Sequence, residues 1–179
     1  MSHKKSEINI KLQEITKDIF CYHFPKYQNL NKNILDKFHL FKNHTTTRNS
    51  HFFEDRYENI YIPSDLIEEI NTVLFYCNHC VKIITGKNSL HSGLWFNYMN
   101  PGNLTLPHSH DEADELYSAV YYVKVPENSG DLIIKENNQD ITIHPQEGMF
   151  VLFPPTFVHH VTKNNSNEAR LSLGINIGS

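Results

Sequence analysis

After Gly93 the chain breaks into short β-type runs separated by turn signals at close spacing, and this rhythm constrains the fold more than any other feature. The runs are GLWFNYM, NLTLPHSH, LYSAVYYVKV, GDLIIKE, QDITIH, GMFVLF, VHHVT and ARLSLGINI. The breakers between them are Pro101-Gly102, Pro126 to Gly130, Asn137-Asn138, Pro145 to Gly148, Pro154-Pro155 and Asn164 to Asn167. Runs of Val, Ile, Tyr and Phe bounded by Gly, Pro and Asn read as strands. About eight of them predict a mainly β fold, a jelly-roll or double-stranded β-helix.

The first ninety residues read as a mixed α/β part. INIKLQEI and DIFCYHFP are short strands, or a strand and a turn, ended by Pro25. KNILDKFHLFKN carries an apolar set near helical spacing, and NHTTTRNSHFFEDRYEN reads as a polar loop. A helix is predicted over about 64–84, with Ser64 after Pro63 as N-cap, Asp65, Glu68 and Glu69 in its first turns, and Gly86 as its stop. Its apolar face is Leu66, Ile67, Ile70, Val73 and Leu74. The expectation is one domain over 1–179, with the jelly-roll core at 91–179 and the N-terminal helices packed on one outer face.

Composition narrows the function classes. The 179 residues are 39% hydrophobic and 12% aromatic, which excludes a disordered chain. A net charge of −4 argues against a sequence-independent nucleic-acid binder. No apolar run reaches the roughly 18 residues of a membrane span, and the N-terminus lacks the apolar stretch of a secretory signal. Three cysteines, Cys21, Cys77 and Cys80, are too few and too odd in number for a disulfide framework, so a reduced, cytoplasmic setting is expected. The expected partner is a small-molecule or peptide substrate, with a homodimer left open. Only three of the 16 basic residues are Arg, at 48, 56 and 170. A flat, forked donor is not replaceable by Lys, so each of the three raises the question of what it holds.

The last strand is two-faced. Alternation puts Leu171, Leu173, Ile175 and Ile177 on one side and Arg170, Ser172, Gly174 and Asn176 on the other. The first set is core; the second faces either solvent or a ligand cavity. His108-Ser109-His110 adds a chemical clue, since residues i and i+2 of a strand point the same way and two imidazoles can reach one metal. In a chain with 12 His such a pair is expected about once by chance. Its weight comes from His159, which follows another strand and offers a third ligand, and from Arg170, eleven residues further on. Three ligands on one face leave positions open for substrate and dioxygen, and a guanidinium in the same mouth suits a carboxylate.

FPPTFVHHVTKNNSNEARLSLGINI resembles the C-terminal signature of the 2-oxoglutarate/Fe(II)-dependent dioxygenases, in particular a bacterial and phage branch. LPHSHDEADELYSAVYYVKVPENSGDLII is similar to the H-x-H segment of the same branch, and FNYMNPGN resembles the strand and turn before it. The resemblance covers about residues 94–177. It implies Fe(II), 2-oxoglutarate and O2 as cofactors and co-substrates, and hydroxylation of a C–H bond with release of succinate and CO2. By position it makes His108, His110 and His159 the metal ligands, His159 rather than His160 being the distal one. It sets Arg170 and Ser172 on the distal carboxylate of 2-oxoglutarate, Tyr98 and Tyr122 beside the co-substrate, and Asn97 and Asn176 in the cavity lining. Trp95, Tyr98, Tyr121 and Tyr122 are candidate shielding walls.

There are departures from the pattern. The superfamily's usual second ligand is a carboxylate, so the choice stays open between His110 with His108 and an H-x-E pair of His110 and Glu112. Ala119 stands where the branch has Gly, and DEADE is a longer loop. Two other readings remain. A cupin spacing would add Glu115 to His108, His110 and His159 in a metalloenzyme that has no need of Arg170. A barrel that binds a small molecule without catalysis would leave the histidines incidental. Cys77-Asn78-His79-Cys80 lacks the second ligand pair of a zinc site and reads as two helical thiols.

Overall fold

The computed structural model describes residues 10–110 and 114–179. The elements run in the order β1 (Gln13–Glu14), β2 (Phe20–His23), α1 (Tyr27–Phe41), β3 (Arg48–Phe53), β4 (Arg56–Tyr61), α2 (Glu69–Thr85), β5 (His91–Met99), β6 (Thr105–His108), β7 (Glu115–Lys124), β8 (Leu132–Glu136), β9 (Gln139–Ile143), β10 (Met149–Phe153), β11 (His159–Val161) and β12 (Arg170–Gly178). Each of the eight runs after Gly93 forms one strand. A major sheet has the order β1-β2-β10-β7-β12-β5-β4-β3, and a minor sheet the order β6-β11-β8-β9. Together they make a mainly β jelly-roll.

Hydrophobic pattern explains the layering. β10, Met-Phe-Val-Leu-Phe, is buried on both faces and sits between β2 and β7. β12 alternates: its Leu171, Leu173, Ile175 and Ile177 join Phe96 and Tyr121 under the two helices, which contribute Ile34 and Phe38 from α1 and Ile70, Val73 and Cys77 from α2. Burying one such large side chain contributes about 1.5–3 kcal/mol. A second cluster, including Leu132, Ile134, Val151 and Phe153, fills part of the space between the sheets. The helices therefore cover the outer face of the major sheet, and the space between the sheets is left for the site.

Two expectations for the N-terminal half change. α2 starts at Glu69 rather than near 64, and Ser64 does not cap it. Residues 63–68 instead form turns, with Leu66 donating to the Pro63 carbonyl at 3.1 Å. The far end is as expected, since Gly86 has φ 73° and donates to the Lys82 carbonyl. The segment expected to be a loop is the hairpin β3–β4, closed by Glu54 and Asp55, both at positive φ. It extends the major sheet beside β5 through Ile60 and Phe96. Among the described residues no helix is long and apolar enough to cross a membrane.

Candidate functional site

Strand register brings three imidazoles together. His108 on β6 and His159 on β11 are direct cross-strand partners. His110 lies two residues past His108 and is pinned by its backbone N–H to the Pro155 carbonyl at 2.8 Å. One ring nitrogen from each of His108, His110 and His159 lies within 4.8 Å of the others. His108 Nδ1 is 2.8 Å from the Leu106 carbonyl and His159 Nδ1 is 3.0 Å from the Phe157 carbonyl. A carbonyl only accepts, so in both rings Nδ1 carries the proton and Nε2 keeps its lone pair for a metal. Burial, opposed by the hydrogen bond to Phe157 and reinforced by the neighbouring imidazoles, holds His159 down at about 3. Burial also lowers His110, with His108 and His51 adding to the effect. His110 and His159 are thus held toward the neutral form that binds metal. His160 is outside the cluster, as alternation requires. Glu112, the alternative carboxylate partner of His110, lies outside the described residues.

This neutrality carries a stability signature. Unfolded, His159 takes up a proton near 6.5; folded, not until about 3. Between those values the unfolded chain binds more protons, so stability falls as pH falls. The metal-free protein is expected to lose on the order of a few kcal/mol from this group by pH 4. Urea midpoints against pH check it: the loss should be shallower in a His159→Gln variant.

The cluster stands at one end of a cavity of about 410 Å³. The polar face of β12 forms its floor, with Arg170, Ser172, Gly174 and Asn176 all lining it. Trp95 and Asn97 line it from β5, and Val120 and Tyr122 from β7. Arg170 is 1% exposed. Its Nη1 donates to the Gly130 carbonyl at 2.9 Å, its Nε has no partner, and no carboxylate among the described residues lies within ion-pair distance. Its Cζ sits 5.2 Å from the centre of the Tyr122 ring. Tyr122 Oη and Asn176 Oδ1 are likewise buried without partners. Burial pushes the Tyr122 phenol up to about 12, against the pull of Arg170, so it stays a neutral donor. Buried polar atoms are normally satisfied, and orphans gathered in one cavity point to a polar ligand.

Gly174 lets Trp95 lie flat on β12, because a Cβ there would run into the indole ring. Gly174→Ala is therefore expected to push Trp95 into the cavity. Trp95 is the chain's single tryptophan, so its fluorescence reports the change directly, and an unaltered emission spectrum would contradict this packing.

The cavity also corrects the residue assignments. Tyr98 was expected beside the co-substrate, but Asn97 faces inward, so Tyr98 faces outward. It packs on α1, with ring centroids 5.3 Å from Phe38, under the Lys42 ammonium. Tyr121, a candidate wall, also faces outward, into the core beneath the helices. Glu115, the fourth ligand of the cupin reading, is not in the three-imidazole cluster. It accepts from Ser118 Oγ at 2.8 Å and lines a neighbouring groove with Arg48, His91 and Asp114. Cys77 and Cys80 are buried in the helix-covered core, and burial pushes Cys80 up to about 12. They are packing residues rather than redox groups.

Several lining residues were not foreseen. His51, Glu58, Asn59 and Tyr61 reach the cavity from the β3–β4 hairpin. Behind them Arg56, 8% exposed, donates to Glu58 at 2.9 Å, to the Leu104 carbonyl at 2.8 Å and to Thr105 Oγ1 at 3.3 Å. It ties the hairpin to β6, the strand that carries His108. The rarity of Arg in the chain was the one sequence signal that could have marked it.

The family model described as "Putative 2OG-Fe(II) oxygenase" matches residues 134–176, the segment holding His159, Arg170, Ser172 and Asn176. That segment, about a quarter of the chain, is similar to the 2-oxoglutarate/Fe(II) oxygenases. Similar solved structures agree in fold. A Pseudomonas putida prolyl-4-hydroxylase aligns at 14% identity over 92% of this chain and 94% of its own, with a TM-score of 0.69. A prolyl hydroxylase from Trichoplax adhaerens, solved with a hypoxia inducible factor oxygen degradation domain peptide fragment, aligns at 13% identity over 91% and 84%, with a TM-score of 0.72. SnoN, a non-heme alpha ketoglutarate dependent epimerase from nogalamycin biosynthesis, gives 13%, 89% and 76%, and 0.70. No curated protein matches the chain by sequence.

Proposed function

We propose that this protein is an oxygenase that hydroxylates a C–H bond of a small-molecule or peptide substrate, using Fe(II), O2 and 2-oxoglutarate and releasing succinate and CO2. One observation carries this reading: a fully buried guanidinium with no ion-pair partner among the described residues shares a cavity with three clustered imidazoles. A buried charge without a close ion-pair partner is costly, so Arg170 is suited to an anion brought by a ligand. The dianionic 2-oxoglutarate has a carboxylate for Arg170 and an oxo-acid end for the metal.

The donor set fits Fe(II): His108, His110 and His159 would hold it on one face, with carbonyl-fixed tautomers at His108 and His159. When bound, the metal supplies the dioxygen chemistry coupled to decarboxylation of the co-substrate and oxidation of the substrate C–H bond. The chain's own residues do the rest. Arg170 offers its unmet N–H to one carboxylate, and Tyr122 Oη and Ser172 donate beside it. Trp95 and Val120 narrow the cavity and limit water. Asn97 and Asn176 present amides to the cavity, which Glu58 and Asn59 of the hairpin also line. With His in place of a carboxylate, the metal site is one charge more positive than in the two-His, one-carboxylate arrangement, which favours an anionic co-substrate.

Anaerobic calorimetry tests the reading, titrating Fe(II) first and 2-oxoglutarate second. Micromolar binding of 2-oxoglutarate only after metal is expected. Metal binding with no affinity for 2-oxoglutarate would overturn the co-substrate assignment. No metal binding would overturn the centre itself.

A further inference from the structure

We propose that Asn31, on the helix outside the barrel, is the positioning residue of the co-substrate pocket, and that it acts through a bulge in β7. The inference rests on the proposed function. Asn31 is 4% exposed. Its Nδ2 donates to two consecutive backbone carbonyls, Tyr122 at 3.1 Å and Val123 at 2.8 Å. Its Oδ1 accepts from Tyr121 Oη at 2.6 Å. Successive carbonyls of a regular strand point in opposite directions, so one amide can reach both only where the strand is distorted.

The distortion lies in the register. Leu171 pairs with Lys124 and Ser172 with Tyr122, which leaves Val123 as one extra residue in β7. Bulges re-aim side chains and concentrate beside active sites. This one falls where Tyr122, Ser172 and Arg170 come together at the end of the cavity. An unpaired bulge carbonyl in this buried layer would be costly, and the Asn31 amide removes that cost. The Tyr122 carbonyl also accepts from the Gly148 N–H at 2.8 Å, so both its lone pairs are used. The backbone of Tyr122 is therefore held from two sides, while its phenol is left without a protein partner inside the cavity. Asn31 thus sets the angle at which Tyr122 Oη and Arg170 face one carboxylate, from a position that touches neither ligand nor metal.

The test compares three variants of the Fe(II)-loaded protein by anaerobic calorimetry. Asn31→Asp keeps the shape and turns a donor toward two carbonyls into an acceptor. Tyr121→Phe removes only the hydroxyl that orients the amide, and guards against an Asn31 variant that fails to fold. Val73→Ala lowers stability in the same core, away from the bulge. The Asn31 and Tyr121 variants are expected to weaken 2-oxoglutarate binding, by about tenfold for Asn31→Asp, with Fe(II) affinity unchanged. In succinate formation the change should appear in KM rather than kcat. Val73→Ala should lower the melting temperature and leave 2-oxoglutarate affinity alone. The inference is overturned if Asn31→Asp and Tyr121→Phe bind 2-oxoglutarate as the parent does, or if Val73→Ala weakens it equally. A parent protein that binds Fe(II) but no 2-oxoglutarate overturns the functional reading as well, and the two failures are told apart in the first titration.

Discussion

Replacing Arg170 with leucine is expected to raise the 2-oxoglutarate KM by between about 30-fold and a few thousand-fold, the range for losing one partner of a buried charge pair. Fe(II) binding should not change, because none of the three imidazoles hydrogen-bonds to Arg170. The substitution also removes a buried charge whose one hydrogen-bond partner among the described residues is the Gly130 carbonyl. Its melting temperature without ligand should therefore be unchanged or higher. Loss of ligand affinity without loss of stability separates a binding residue from a structural one. Arg170→Lys should fall between, since it keeps the charge and loses the planar fork. An unchanged KM in both variants would mean that the anion is bound elsewhere.

His159→Ala should abolish iron-dependent turnover, with a loss well beyond the 10–100-fold that follows from disturbing an outer-shell partner of a ligand. His159 is 7% exposed and opposite His108 in the sheet, and the three imidazoles are the metal-ligating group found among the described residues. His160→Ala is the matched control, since that ring is outside the cluster. Calorimetry with Fe(II) and succinate formation check both. Full activity in His159→Ala would sink the three-imidazole centre. The second ligand is decided by a separate pair: loss of activity in Glu112→Gln with retention in His108→Ala would replace the proposed set by His110 and Glu112 with His159.

How much of this was legible in the sequence follows from how local each signal is. Strand identity after Gly93 was, because each run carries its own pattern and its own breakers. Asn137-Asn138 is an example: both residues take positive φ and close the two-residue turn between β8 and β9, a conformation Asn tolerates. The two faces of β12 were legible for the same reason, since alternation needs no partner. So was the pairing of His108 with His110 on one side of a chain.

The hairpin β3–β4 was not legible. Its turn residues, Glu54 and Asp55, adopt positive φ without the Asn or Gly that normally announces it, and its strands are mostly polar. Four cavity residues were missed with it. Tyr98 was misplaced because family position was followed where alternation with Asn97 forbids both from facing inward. Asn31 reads as a polar helix residue, which is ordinarily solvated. Its burial depends on Val123 being an extra residue against β12, a fact of pairing between segments about fifty residues apart. The sequence by itself determined the strands, their faces and the chemical types available at the site. The tertiary structure decided which imidazoles meet, that Arg170 is buried without an ion-pair partner among the described residues, and that a helix outside the barrel holds the strand beside it. Propensity and alternation act within a few residues, whereas register, burial and charge compensation exist only once distant segments are in contact.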